Sequence, residues 1–291
     1  MSLLHVLLPL FAQVGPFTAP GTTGTPFPET VKRPSALKVV TRSAPEAPQR
    51  SARAADCAAT VDDDAENAVD LAESWLKTAS GPDRVDAQMC LGLAHSRLED
   101  WGDAQTAFLA GRDLAGADRL MRARLGAMAG NAALAADAPD RALAALDPAR
   151  AEVKGLASPA LEARIALDRA RALVALKRDA EAQDALADAR NAAPASAEAW
   201  LLSATLSRRR GNLAEAQARI ERAAALLPID PAIGLEAGVI AVLASRDDAA
   251  RRSWQSVLTA APDSAEAATA RTYLAQLGPS ASEARAAAVG R

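Results

Sequence analysis

Reactive residues are few in this 291-residue chain. Its histidines are His5 and His95, and its cysteines are Cys57 and Cys90. Beyond the N-terminal segment only His95 could serve a Ser, His and acid constellation, and it falls within an alanine-rich helical pattern where a packing role is expected. There is no C-x-x-C or H-E-x-x-H spacing to hold zinc, and no glycine-rich loop of the G-x-x-x-x-G-K-[ST] or G-x-G-x-x-G kind to cradle phosphates. Asp62, Asp63 and Asp64 are contiguous, whereas a calcium loop spaces its carboxylates and needs a glycine between them. Acidity at a helix start, facing the positive end of the helix dipole, accounts for them. No catalytic, cofactor-binding or metal-ligating set is therefore expected, and the chain reads as non-enzymatic.

The elements that carry these residues are read from composition. Half of the residues are apolar but only 3% are aromatic. Alanine supplies much of the apolar content; it is the best helix former, while strands favour β-branched and aromatic residues. A helical protein is expected. The net charge of -3 lacks the basic excess of a general nucleic-acid binder, so no nucleic-acid partner is expected.

The first 50 residues stand apart, with 8 of the 17 prolines and five Lys/Arg against two Glu. They open on LLHVLLPLFA at 3–12, too short to span a membrane as a helix but long enough for the apolar core of a signal peptide. The expected organisation is a signal peptide over 1–13, a Pro-rich disordered linker over 14–50, a helical repeat domain over 51–278 and a disordered tail over 279–291. Export, to the periplasm or beyond, is the expected location; a cytoplasmic protein with an uncleaved N-terminus is the alternative.

Repeats organise the rest. Pro194, Pro228 and Pro262 are spaced by 34 residues, as are Ala182, Ala216 and Ala250, and so are the large apolar residues Leu186, Ile220 and Trp254. Small residues let antiparallel helices approach closely, large ones four positions on fill the space beside them, and proline ends the second helix of each unit. Asp230 before Pro231 reads as a helix start, and Asp263 with Glu266 and Asn212 with Glu215 have the spacing of capping boxes. The segment 64–80 reads as a helix completing a degenerate first pair, and 264–278 as a C-terminal capping helix.

This 34-residue pattern resembles that of the tetratricopeptide repeat proteins. The unit 85–118 carries Leu91, Gly92, His95, Trp101, Ala104, Phe108 and Gly111 at the motif positions, with His95 in an aromatic packing slot. Units 163–196, 197–230 and 231–264 follow in phase, and 123–156 fits more loosely through Gly130, Ala142, Leu146 and Ala149. The resemblance implies an all-α, right-handed solenoid of helix-turn-helix repeats. It also implies a concave groove that takes an extended peptide or partner helix. Carried across, the groove positions here are Arg97, Arg124, Asn131, Arg164, Arg171, Thr205, Arg208, Arg209, Leu235 and Val239, with Arg210 outside the set. Recurring guanidinium groups suit carboxylates of an acidic segment or chain terminus. In the same frame Cys90 occupies a position that faces the preceding helices, which implies either a disulfide to Cys57 or two buried thiols. The implied function is a protein-protein interaction scaffold. A cytoplasmic adaptor, or a non-catalytic substrate-handling subunit of an envelope polysaccharide or secretion system, are its alternatives.

Overall fold

The structure, a computed structural model, describes residues 52–277. The expected signal peptide, linker and tail, together with residues 51 and 278 at the two ends of the expected repeat domain, lie outside the described residues. Thirteen α-helices fill the described chain: α1 (Ala52–Asp63), α2 (Ala65–Thr78), α3 (Pro82–Arg97), α4 (Trp101–Leu114), α5 (Arg119–Ala135), α6 (Pro139–Val153), α7 (Pro159–Ala175), α8 (Asp179–Ala192), α9 (Ala197–Arg209), α10 (Leu213–Leu226), α11 (Pro231–Leu243), α12 (Asp247–Ala260) and α13 (Ala265–Leu277). They form six helical hairpins and a terminal helix, an all-α solenoid. Consecutive helices pack against one another along the whole array. Odd-numbered helices also touch directly, α1 with α3, α5 with α7, α9 with α11 and α11 with α13, while contacts between even-numbered helices are weaker. The odd helices are therefore the tighter, inner layer of the curve.

Close approach within each hairpin rests on one small residue facing one large one. A Cβ added at Gly92 would come within 2.4 Å of Phe108, one at Gly130 within 2.4 Å of Leu146, and one at Gly238 within 2.1 Å of the Trp254 indole. Fully buried alanines do the same work where glycine is absent, as Ala204 does beside Ile220. The core is thus a chain of clusters passed from hairpin to hairpin, as expected of units that bury their faces only by stacking.

Five hairpins turn in the same way. Glu99, Asp137, Lys177, Gly211 and Ser245 each sit at positive φ, between 52° and 81°. In each case the next residue's N–H returns to a carbonyl five residues back, for example from Arg178 to Leu173 at 2.8 Å and from Asn212 to Ser207 at 2.9 Å. These are the closing bonds of a left-handed helix end. Only Gly211 supplies the residue type that this backbone favours.

Helix starts follow the expected chemistry in part. Asp230 caps α11, accepting from the Ile233 N–H at 3.0 Å, with Pro231 in the first turn. Asp64 caps α2 through the Asn67 N–H, also at 3.0 Å, while Asp62 and Asp63 end α1 rather than start a helix. The two capping boxes do not form. Ser264, not Asp263, caps α13 by accepting from the Ala267 N–H at 3.0 Å. The Asn212 side chain makes no cap bond, and the reciprocal half of the box is lost because Glu215 is drawn to Arg219 and to the Ser207 hydroxyl.

Candidate interaction surface

All ten residues assigned to the groove lie on inner-layer helices, but their surroundings differ. Arg97 on α3, Arg124 on α5, Arg164 on α7 and Arg209 at the end of α9 are exposed, and none makes an ion pair among the described residues. Arg171 and Arg208 are instead consumed by the fold. Arg171 bridges Asp168 on its own helix and Glu198 at the start of α9. Arg208 pairs through a two-bonded fork with Glu236 on α11. Asn131 is exposed, and its side chain lies near enough to the same Asp168 carboxylate to favour its charged form.

Three of the ten are packing residues to differing degrees. Leu235 is 2% exposed, in a cluster with Trp254 and Tyr273, so it is core and not groove surface. Thr205 is 6% exposed and likewise offers no contact surface. Val239 is half-buried against the Leu235 cluster. The apolar end of the groove is thereby reduced to Val239, Val242 and the exposed Leu243.

The residues not foreseen are the acids that hold these arginines. Asp168 and Glu236 are each almost fully buried, and both face the preceding inner helix. Burial pushes the Asp168 carboxyl above its ordinary value, against the opposing pull of Arg171, the hydrogen bond from Arg171 and the nearby Asn131 side chain. Burial likewise raises the Tyr273 phenol, which shares the neighbourhood of Arg208 and Glu236. Their spacing of 68 residues, two repeat lengths, was a signal available in the sequence. Acidic residues seldom occupy interior positions, however, and nothing else marked these two.

Cys90 on α3 faces α1 in the same sense, and it is joined there to Cys57 with a Cα–Cα separation of 6.0 Å. Both sulfurs are in the N-terminal core, beside Ala54, Ala87 and Trp75. His95 is half-buried at the end of α3, its Nδ1 3.5 Å from Asp100 Oδ2, a distance too long for a firm hydrogen bond. No group of three or more His, Cys, Asp and Glu able to hold a metal occurs among the described residues. Nor is any described helix long and apolar enough to cross a membrane.

No protein-family model matches the sequence, and no curated protein matches it. Solved structures are similar in fold. PilW, a widely conserved type IV pilus biogenesis factor, superposes with a TM-score of 0.62 at 16% identity over 76% of this chain and 96% of its own. MamA from Desulfovibrio magneticus, residues 41 to the end, gives 0.54 at 16% identity over 64% of this chain and 100% of its own. PilF of Pseudomonas aeruginosa gives 0.52 at 18% identity over 73% of this chain and 100% of its own. These are tetratricopeptide repeat structures, and the chain described here has their fold.

Proposed function

We propose that the protein is a non-enzymatic interaction scaffold that takes an acidic, extended segment of a partner protein along its inner layer. The observation that carries this reading is that Arg97, Arg124, Arg164 and Arg209, one on each of four successive inner helices, are exposed and free of internal ion pairs among the described residues, Arg97 and Arg209 at the ends of α3 and α9 and Arg124 and Arg164 near the starts of α5 and α7. Neighbouring arginines of the same layer are neutralised by buried acids, so those left over are the ones with donors to offer a partner carboxylate. Affinity capture with the wild type and with the Arg124→Ala, Arg164→Ala, Arg209→Ala variant tests this: loss of the principal partner is expected, and an identical partner set overturns it.

Export is part of the proposal. The joining of Cys57 to Cys90 supports an oxidising compartment, where such bonds persist. The likeness of fold to a type IV pilus biogenesis factor is in keeping with work in the envelope. Cell fractionation with N-terminal sequencing reads this separately from the groove; an intact Met1 in the cytoplasm refutes export and leaves the scaffold reading standing.

A further inference from the structure

We infer a second recognition site, at the junction of α8, α9 and α10, that accepts a single carboxylate from an acidic segment of a partner protein. Its centre is Arg190, in the last turn of α8. The guanidinium lies over the Trp200 ring, 5.2 Å from the centroid, and donates to the Ser203 hydroxyl. Ser203 in turn donates to the Ala199 carbonyl at 2.6 Å, so its single O–H is committed. Beside it, Arg219 donates to the Ser207 hydroxyl at 2.6 Å and to the Ser203 carbonyl at 3.2 Å, and is paired with Glu215. Two guanidinium groups thus lie near one carboxylate, and Arg219 is the one that holds it.

Arg190 has no carboxylate partner of its own among the described residues, although it is half-buried. Buried charges are ordinarily paired, because removing an ion from water costs more than neutral hydrogen bonds return. Arg190 is left with one hydroxyl and an aromatic face, while Arg219 repels it. Burial and that repulsion both act against its charged form, with Glu215 opposing. The remaining in-plane N–H donors have no internal acceptor, and their fork fits a carboxylate edge-on. One uncompensated positive charge calls for one negative charge, which a carboxylate brings and a phosphate dianion exceeds.

The site shares no residue with the exposed arginines Arg97, Arg124, Arg164 and Arg209 of the inner groove. Its test follows the Trp200 indole N–H by NMR, identified by its loss in Trp200→Phe, as hexaglutamate is added to the full chain at low salt. A saturable shift is expected in the wild type, weakened tenfold or more in Arg190→Gln and within twofold of wild type in Arg124→Gln, Arg164→Gln. Arg190→Lys keeps the charge and stem but not the fork, and is expected to lose at least threefold, which keeps the test intact where Arg190→Gln folds poorly. An unmoved Trp200 resonance, equal affinity in both Arg190 variants and wild type, or a response to inorganic phosphate without one to hexaglutamate each overturns the inference.

Discussion

Arg208 and Glu236 lock α9 to α11 through two hydrogen bonds, from Nε to Oε1 at 2.6 Å and from Nη2 to Oε2 at 3.1 Å. The pair is unequal in burial, with 18% of the arginine side chain exposed against 4% of the glutamate. Arg208→Ala leaves a buried carboxylate without compensation and is expected to cost about 3–5 kcal/mol. Glu236→Gln leaves an arginine that can turn to water, at about 1–3 kcal/mol. Urea unfolding of both variants checks the order; a more damaging Glu236→Gln contradicts it.

Asp168 gives the stability a pH dependence of definite sign. Burial holds its folded-state pKa above the unfolded value, so the folded state keeps a proton that the unfolded state has released. Stability from this group therefore falls as pH rises from the unfolded value through the folded one. Asp168→Asn removes the effect. The stability difference between Asp168→Asn and wild type should shift in favour of the variant from about pH 4 to about pH 7. A difference that does not change with pH refutes the assignment.

At Gly238 an added methyl has no room, because Trp254 lies within 2.1 Å of it and is held in place by a hydrogen bond from its Nε1 to the Leu235 carbonyl at 3.2 Å. Gly238→Ala is expected to destabilise by about 1–3 kcal/mol. Gly102, with nothing within 4 Å of a new Cβ, is the control. Gly102→Ala should be neutral or stabilising by up to about 1 kcal/mol on helix propensity alone. Thermal melts of the two distinguish them.

Lys177 occupies the left-handed turn position that Gly211 occupies one unit later, with φ of 60° and 81° respectively. Side chains other than glycine pay for that backbone, so Lys177→Gly is expected to stabilise by roughly 0.5–1 kcal/mol after the added entropy of the unfolded chain. Gly211→Ala should lose about 1 kcal/mol. Chemical denaturation measures both, and a destabilised Lys177→Gly would show that the lysine contributes more than its backbone costs.

The bond between Cys57 and Cys90 closes a loop with a sequence separation of 33. On the chain-entropy estimate it stabilises by about 3–4 kcal/mol. Cys57→Ser, Cys90→Ser, or reductant, should lower the free energy of unfolding by that amount and loosen α1 first, as read by hydrogen exchange. Two free thiols on Ellman titration of protein denatured without reductant, taken from its native compartment, would remove the basis for both this prediction and the oxidising compartment.

Much of the fold was legible because repeats multiply weak signals. Pro194, Pro228 and Pro262 mark helix ends whose cause is local, a missing N–H and a steric clash. Gly92, Gly130 and Gly238 mark close approach for an equally local reason, the absent Cβ. The capping boxes failed at Asn212 and Asp263 because neighbours competed for parts of them: Arg219 took the Glu215 carboxylate, and Ser264 took the start of α13. Glu99, Lys177 and Ser245 mark left-handed turn positions that were invisible, since none of the three residue types favours that backbone, and Asp137 carried only a weak signal.

The arginine triplet Arg208, Arg209 and Arg210 shows where sequence ends and tertiary structure begins. By itself the sequence determined that the three sit at the end of a helix, where positive charge complements the dipole, because that depends on nearest neighbours along the chain. Only the packing of helices decided their separate fates. Arg208 meets Glu236 from α11, Arg210 meets Gln183 from α8, and Arg209 points to solvent with its donors unspent. The partners lie 27 and 28 residues away in the chain, and no local rule relates residues so far apart until neighbouring units stack.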